Sequence, residues 1–303
     1  MFTRPLLLAC RDGMMETVLW MLGRGAYVDS ASDFSDHPNY CRLQTGLQIA
    51  CQSQHRELAL LLLDRGADVS IKDEYGMTAL HRACEAGDVE TVLLLLDRGA
   101  DVSIKNDHGW TALHHACEVG NVETALLLLD RGADVNIKDK YGTTALYRAC
   151  EAGNVETALL LLDRGADVSI KDDHGSTALH HACELGHRET ALLLVRRGAD
   201  IDVLDIYNES PLDVTKIGVD PNDLDIPSYE WPVDEAATEE MKQALRRERA
   251  KYLAWMRRKA FVMFLVGHDY LKHPGRVAAD RDRSDSRVHE VMRSVNMHIV
   301  SFL

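Results

Sequence analysis

Apolar and polar positions along this chain recur with a fixed rhythm, and one period is enough to read the elements. In residues 73–105, Asp73-Glu74-Tyr75-Gly76 is turn chemistry, with Gly76 free to take positive φ. Thr78 then stands as the N-cap of a short helix reaching Ala86, and Gly87 ends it. A second helix is predicted from about Val89 to Arg98, where Arg98 complements the helix dipole and Gly99 stops the chain. Positions 93–96 make this helix apolar nearly all round, as expected for one packed between neighbours on both sides. Val102 and Ile104 lead into the next turn.

The unit repeats every 33 residues. Arg-Gly-Ala-Asp begins at Arg65, Arg98, Arg131, Arg164 and Arg197, and Thr-Ala-Leu begins at Thr78, Thr111, Thr144 and Thr177. An earlier copy at Arg24 lies 41 residues before Arg65, which leaves an eight-residue insertion within 31–43. Each unit leaves apolar faces open, so the units must stack into a solenoid.

This length, the Thr-x-Leu-His box (Thr78 to His81) and the Gly-Ala-Asp-Val close (Gly66 to Val69) resemble the ankyrin repeat. The resemblance covers residues 1–217 as six helix pairs and a truncated seventh unit. It implies an all-α ankyrin solenoid of helix-turn-helix units with β-turn or hairpin fingers. Ala replaces the family's usual Pro after the box Thr, while Pro5 and Pro211 keep it. Residues 218–233 read as a Pro-containing connector and 234–303 as a helical C-terminal module capping the open end. Within that module a helix is expected from the N-cap Asp234 to about Val266, stopping at Gly267, with a last helix near Asp285.

Neighbouring units alternate in type: Tyr75 with Arg82, His108 with His115, Tyr141 with Arg148, His174 with His181. His and Cys three residues apart (His81/Cys84, His114/Cys117, His180/Cys183) supply two ligands per layer, too few for a tetrahedral metal site. Cys10, Cys51, Cys84, Cys117, Cys150 and Cys183 share one repeat position, where layers ~8–10 Å apart are too distant for disulfides. In the family this is a small-residue packing position, and the box His bonds adjacent units. No phosphate loop, nucleophile elbow or zinc-protease motif occurs, so no enzyme activity, cofactor or metal is expected.

Charge narrows the partner. Residues 1–233 carry 20 Lys and Arg against 38 Asp and Glu, and residues 234–303 carry 14 against 10. So acidic an array repels phosphate backbones, which argues against nucleic acid as its partner. The longest apolar run, 260–266, has seven residues, far short of the ~20 a membrane helix needs. An odd cysteine count of seven and an N-terminus without a signal-peptide layout point to a reducing intracellular setting, cytoplasmic or nuclear.

By resemblance, a monomeric array binds a partner protein through its turn tips and the exposed side of each first helix. That surface comprises Glu74, Tyr75, Met77, Arg82 and Glu85, then Asp107, His108, Trp110, His115 and Glu118. It continues with Lys140, Tyr141, Thr143, Arg148 and Glu151, then Asp173, His174, Ser176, His181 and Glu184. Trp110 reads as an exposed anchor, the four glutamates as a column for a basic segment, and the histidines as groups that weaken its hold on acidification. The alternative places function in the C-terminal helix, where 246–259 hold seven basic residues and one acid around Trp255. Such a helix fits a calmodulin-type target or a membrane surface.

Overall fold

The computed structural model describes residues 3–32, 43–215 and 235–272, with side-chain surroundings through residue 257. Six antiparallel helix pairs follow one another: α1 (Thr3–Arg11) with α2 (Met15–Gly23), α3 (Gly46–Gln52) with α4 (Arg56–Asp64), α5 (Ala79–Ala86) with α6 (Val89–Asp97). The series continues with α7 (Ala112–Val119) and α8 (Val122–Asp130), α9 (Ala145–Glu151) and α10 (Val155–Asp163), α11 (Ala178–Glu184) and α12 (Arg188–Arg196). Two strands, β1 (Ala31–Ser32) and β2 (Gln44–Thr45), pair antiparallel and close the base of the insertion. The other fingers are tight turns, and one of them carries an isolated bridge between Lys171 and Thr177.

The local rules of the sequence operate as expected. Thr78 caps α5 with extended backbone, and Gly87 ends it in the left-handed region. Thr78, Thr111 and Thr177 each form a reciprocal capping box with the histidine three residues on. Leu80, Leu113, Leu146 and Leu179 line the inner row of the core, with Leu62, Leu95, Leu128 and Leu161 behind them, all fully buried. Burying each such leucine is worth ~1.5–3 kcal/mol. Beside the inner row, Ala83, Ala116, Ala149 and Ala182 leave room for close helix packing.

The cysteine column is buried throughout. Burial pushes the thiols of Cys10 and Cys183 up to about 12 and raises those of Cys51, Cys84, Cys117 and Cys150 as well. A thiol without thiolate character is a poor nucleophile. In native protein these six cysteines should therefore react with dithionitrobenzoate at least a hundred times more slowly than after denaturation in guanidinium, by absorbance at 412 nm. Fast stoichiometric labelling of several of them in the native state would contradict it. Cys41 lies outside the described residues.

Helix α13 (Glu235–Lys272) runs through Gly267 instead of stopping there. A mid-helix glycine costs only ~1 kcal/mol, which is less than a stop requires. The described chain divides into two compact units, with the boundary between Arg249 and Ala250. Within the first unit, Met241 and Leu245 are fully buried in the core that the repeats share. Arg188 pairs with Glu240 at 3.0 Å, Arg196 with Glu248 at 3.3 Å and Arg249 with Asp200 at 2.8 Å. The start of α13 thus covers the apolar end of the last helix pair. The expected helix near Asp285 lies outside the described residues, as do the connector at 218–233 and the side chains of 260–266.

Candidate functional site: the fingers and the inner helices

Each finger is organised by its first residue. Asp73 Oδ1 accepts the backbone N–H of Tyr75 and of Met77, both at 2.9 Å. Asn106, Asp139, Asp172 and Asp205 repeat this double acceptance in their own fingers at 2.8–2.9 Å. The chain is therefore folded back over a side chain two and four residues away, an arrangement that Asp and Asn favour. Successive fingers are then joined backbone to backbone. Asp107 N–H donates to Tyr75 O at 2.9 Å, Lys140 to His108 O at 2.9 Å, Asp173 to Tyr141 O at 3.0 Å and Ile206 to His174 O at 2.9 Å.

The box histidines bind the layers beneath. His81 Nδ1 accepts the Thr78 N–H at 3.2 Å, which leaves Nε2–H to donate to Trp110 O of the next unit at 3.2 Å. His180 makes the same pair of contacts with Thr177 and Glu209. Burial holds the pKa of His81 and His114 down to about 4, so both rings are neutral at physiological pH.

The second oxygen of the finger carboxylate meets the alternating residue of the inner helix. Arg82 donates to Asp73 Oδ2 at 2.6 Å, and Arg148 to Asp139 Oδ2 at 3.1 Å. Both carboxylates are wholly shielded from solvent. Trp110 and Thr143 also converge on Asp139 Oδ2, through Nε1–H at 3.0 Å and the hydroxyl at 2.6 Å. Where the inner residue is His115 the finger residue is the neutral Asn106, whose amide donates to Met77 Sδ at 3.1 Å. Burial first, and then the neighbouring imidazoles of His81 and His114 and the guanidinium groups of Arg82 and Arg148, drive the pKa of His115 down to about 3. His181 sits 3.4 Å from Asp172.

This geometry corrects part of the expected surface. Met77, Arg82, His115, Thr143 and Ser176 are buried, because the residue two past the tip turns inward onto the inner helix. Arg148 and His181 are largely covered. Trp110 is no exposed anchor: its indole packs 4.9 Å from His115 and under the Arg148 guanidinium at 4.3 Å, and it donates to Asp139. It fastens one unit to the next. His115 titrates near pH 3, so it cannot act as a switch near neutrality.

What remains accessible is Glu74, Tyr75, Glu85, Asp107, His108, Glu118, Lys140, Tyr141, Glu151, Asp173, His174 and Glu184. Tyr207 extends this row at 68% exposure, a fifth tip that the sequence reading left out although it follows Asp205 as Tyr75 follows Asp73. The Asp73, Asn106, Asp139, Asp172 column was also missed. Its signal was present, since Asp accompanies Arg and Asn accompanies His nine residues on in three of the four units.

The model of ankyrin repeats matches residues 6–106, 47–139, 100–172 and 136–205. The chain belongs to the ankyrin-repeat family. A solved structure described as the ankyrin repeat domain of Bcl-3, a unique member of the IkappaB protein family, is 33% identical. The match covers 70% of this chain and 94% of that one, with a TM-score of 0.59. No curated protein matches the chain. Ankyrin arrays are non-enzymatic modules for protein–protein interaction. Among the described residues, no helix is long and apolar enough to cross a membrane, and no three His, Cys, Asp or Glu side chains gather as a metal site.

Charge on the ankyrin face alternates with the unit type. Arg82 neutralises Glu85 at 3.0 Å and Arg148 neutralises Glu151 at 2.9 Å. Glu118 follows a neutral histidine and has no cation within ion-pair distance among the described residues. Partial burial raises its pKa, Arg148 lowers it, and Glu151 and Glu85 raise it again. Among the described residues, Glu184 has only His181 within ion-pair distance, at 3.6 Å.

Proposed function

We propose that this ankyrin array is a monomeric adaptor of the cytoplasm or nucleus that holds a basic segment of a partner protein. The segment lies across the fingers and the exposed side of the inner helices. The supporting observation is the acidic column whose members differ in compensation. Glu85 and Glu151 are each tied to an arginine of their own helix, whereas Glu118 and Glu184 keep their charge for a partner. Exposed charges of this kind steer encounter more than they prolong residence. At the start of α13, Met241 and Leu245 are buried in the core of the array, which supports giving that first stretch the role of an end cap.

The test is affinity capture from cell extract with mass spectrometry, followed by surface plasmon resonance on the captured partner. Glu118→Gln with Glu184→Gln should slow association about tenfold at low salt and leave dissociation nearly unchanged. Glu85→Gln with Glu151→Gln should change it less than threefold. Raising the salt should reduce the difference between the two variants. A partner whose association ignores salt and both pairs of substitutions would refute the acidic-column reading.

A further inference from the structure

Two units each hold an arginine between two carboxylates, and a third presents the same carboxylates around a histidine. Arg82 spans Asp73 at 2.6 Å and Glu85 at 3.0 Å, and Arg148 spans Asp139 at 3.1 Å and Glu151 at 2.9 Å. In the unit of α11 the equivalent carboxylates are Asp172 and Glu184, and the residue between them is His181. The other histidine unit avoids this mismatch, because its finger residue is the neutral Asn106.

The imidazole does not replace the guanidinium. His181 Nε2 lies 3.4 Å from Asp172 Oδ2, and Nδ1 lies 3.6 Å from Glu184 Oε2. A neutral ring carries one N–H, so one of the two carboxylates faces a lone pair. Nε2 is enclosed and completes no hydrogen bond. The Asp172 side chain is only 5% exposed, yet its Oδ1 takes both finger amides and its Oδ2 receives no hydrogen bond among the described residues. The counterpart Asp139 Oδ2 receives three. With Nε2–H turned toward Asp172, Nδ1 and Glu184 Oε2 meet as two acceptors on the open side, where Glu184 is 57% exposed. Tyr147 borders that side. It takes the position of the box histidine, is half-buried, and its ring lies 4.2 Å from that of His181. Burial first, and then Glu151, Asp172 and Glu184 against the opposing pull of Arg148, raise its pKa, which places the phenol among these carboxylates. One unit earlier the arrangement is complete: the Arg148 guanidinium lies 4.3 Å over the Trp110 ring while it pairs with both of its carboxylates.

We propose that the α11 unit receives an arginine side chain of the partner protein, held between His181 Nδ1 and Glu184 and against the Tyr147 ring. This deepens the adaptor reading and rests on it. One N–H of the guanidinium donates to His181 Nδ1 and its neighbour to Glu184 Oε2, while Asp172 fixes the tautomer by drawing the ring proton to Nε2. The partner thus contributes from outside the cation that Arg82 and Arg148 supply from within. Lysine matches this site less well. Its ammonium is a point charge and offers neither a parallel pair of donors nor a flat face for the tyrosine ring.

The experiment titrates the full chain, labelled with nitrogen-15 at its histidines, with the blocked peptide Gly-Ser-Arg-Ser-Gly and its lysine and citrulline counterparts, followed by NMR of the imidazole resonances. The arginine peptide should shift the His181 ring saturably below about 10 mM. The lysine peptide should bind about fivefold more weakly and the citrulline peptide not at all. Glu184→Gln and Tyr147→His should each weaken the arginine peptide about fivefold. Glu156→Gln, the same change of charge at an exposed position of α10, should leave binding unchanged. His181→Arg supplies the cation from within, so it should abolish peptide binding and raise the melting temperature by about 3 °C. No saturable shift at His181, or an arginine peptide not preferred over both counterparts, would overturn the proposal. So would a His181→Arg variant that still binds or gains no stability. A ring already carrying both protons would serve the two carboxylates by itself and give the first of these results. The adaptor reading fails separately: a captured partner that depends on salt and on the Glu118 and Glu184 pair, yet ignores His181→Arg, keeps it standing without this site.

Discussion

Asp139→Asn should destabilise the array by about 3 kcal/mol, and adding Arg148→His should recover at least half of that loss. Asp139 Oδ2 is the meeting point of Arg148, Trp110 Nε1–H and the Thr143 hydroxyl, while Oδ1 holds the finger backbone. An amide in place of Oδ2 turns a donor toward three donors and leaves the covered guanidinium with the half-exposed Glu151 as its remaining counter-charge. Removing one partner of a buried pair costs more than the pair contributes, because the remaining charge stays desolvated. The second substitution replaces that charge with a neutral ring and recreates the Asn106 and His115 combination already present one unit earlier. Trp110 still loses its acceptor, so recovery is incomplete. Urea denaturation followed at 222 nm on the single and double variants measures the coupling directly. Two single losses that simply add would show that finger and inner helix are independent.

The same site fixes the direction of acid sensitivity. Burial acts to raise the Asp139 pKa. The Thr143 hydroxyl and amide, the Tyr141 amide and Arg148 outweigh it and hold the pKa below the ordinary 3.8. A group whose folded pKa is depressed stabilises the fold above its unfolded value, and that contribution fades as pH falls through the folded value. Asp139 therefore contributes fully at neutral pH and begins to lose its contribution below about pH 4. The Asp139→Asn variant should show a shallower decline over pH 4 to 2 than wild type.

Gly109→Ala should cost about 3 kcal/mol, whereas Gly132→Ala costs only about 1 kcal/mol, although both glycines sit in the left-handed region. Their φ values are +82° and +89°. An alanine at either position carries the left-handed penalty of ~1–2 kcal/mol. A Cβ on Gly132 meets nothing within 4 Å. On Gly109 it would lie 2.8 Å from the Lys140 backbone nitrogen and 3.1 Å from Asp139 C and Cα. These are backbone atoms of the next finger, and that same Lys140 N–H donates to His108 O. The fingers must separate, and at least one inter-unit hydrogen bond lengthens or breaks. In a one-dimensional array such a fault weakens the coupling between its two halves. The denaturation curve of Gly109→Ala should therefore also broaden, while that of Gly132→Ala shifts without changing shape. Equal shifts would show that only the local conformation matters.

The sequence alone determined the period, the helix pairs and their stops. Each of those rests on contacts within about four residues: a threonine cap, a glycine in the left-handed region, an apolar stripe. It also determined that Cys10 to Cys183 form a packing column, since one repeat position can hold only one environment. Tertiary structure decided the rest. The inward turn of Met77, Trp110, Thr143 and Ser176 follows from how each finger folds over its aspartate or asparagine, and that places the residue two past the tip against the inner helix. The pairing of Asp73 with Arg82 spans nine residues and exists only once that turn is made. The course of α13 past Gly267 shows the same division: a local stop signal worth ~1 kcal/mol yields to the preference of a long helix to continue. Repeat periodicity fixes which residues are equivalent, whereas solvent exposure depends on the neighbouring unit that each side chain meets.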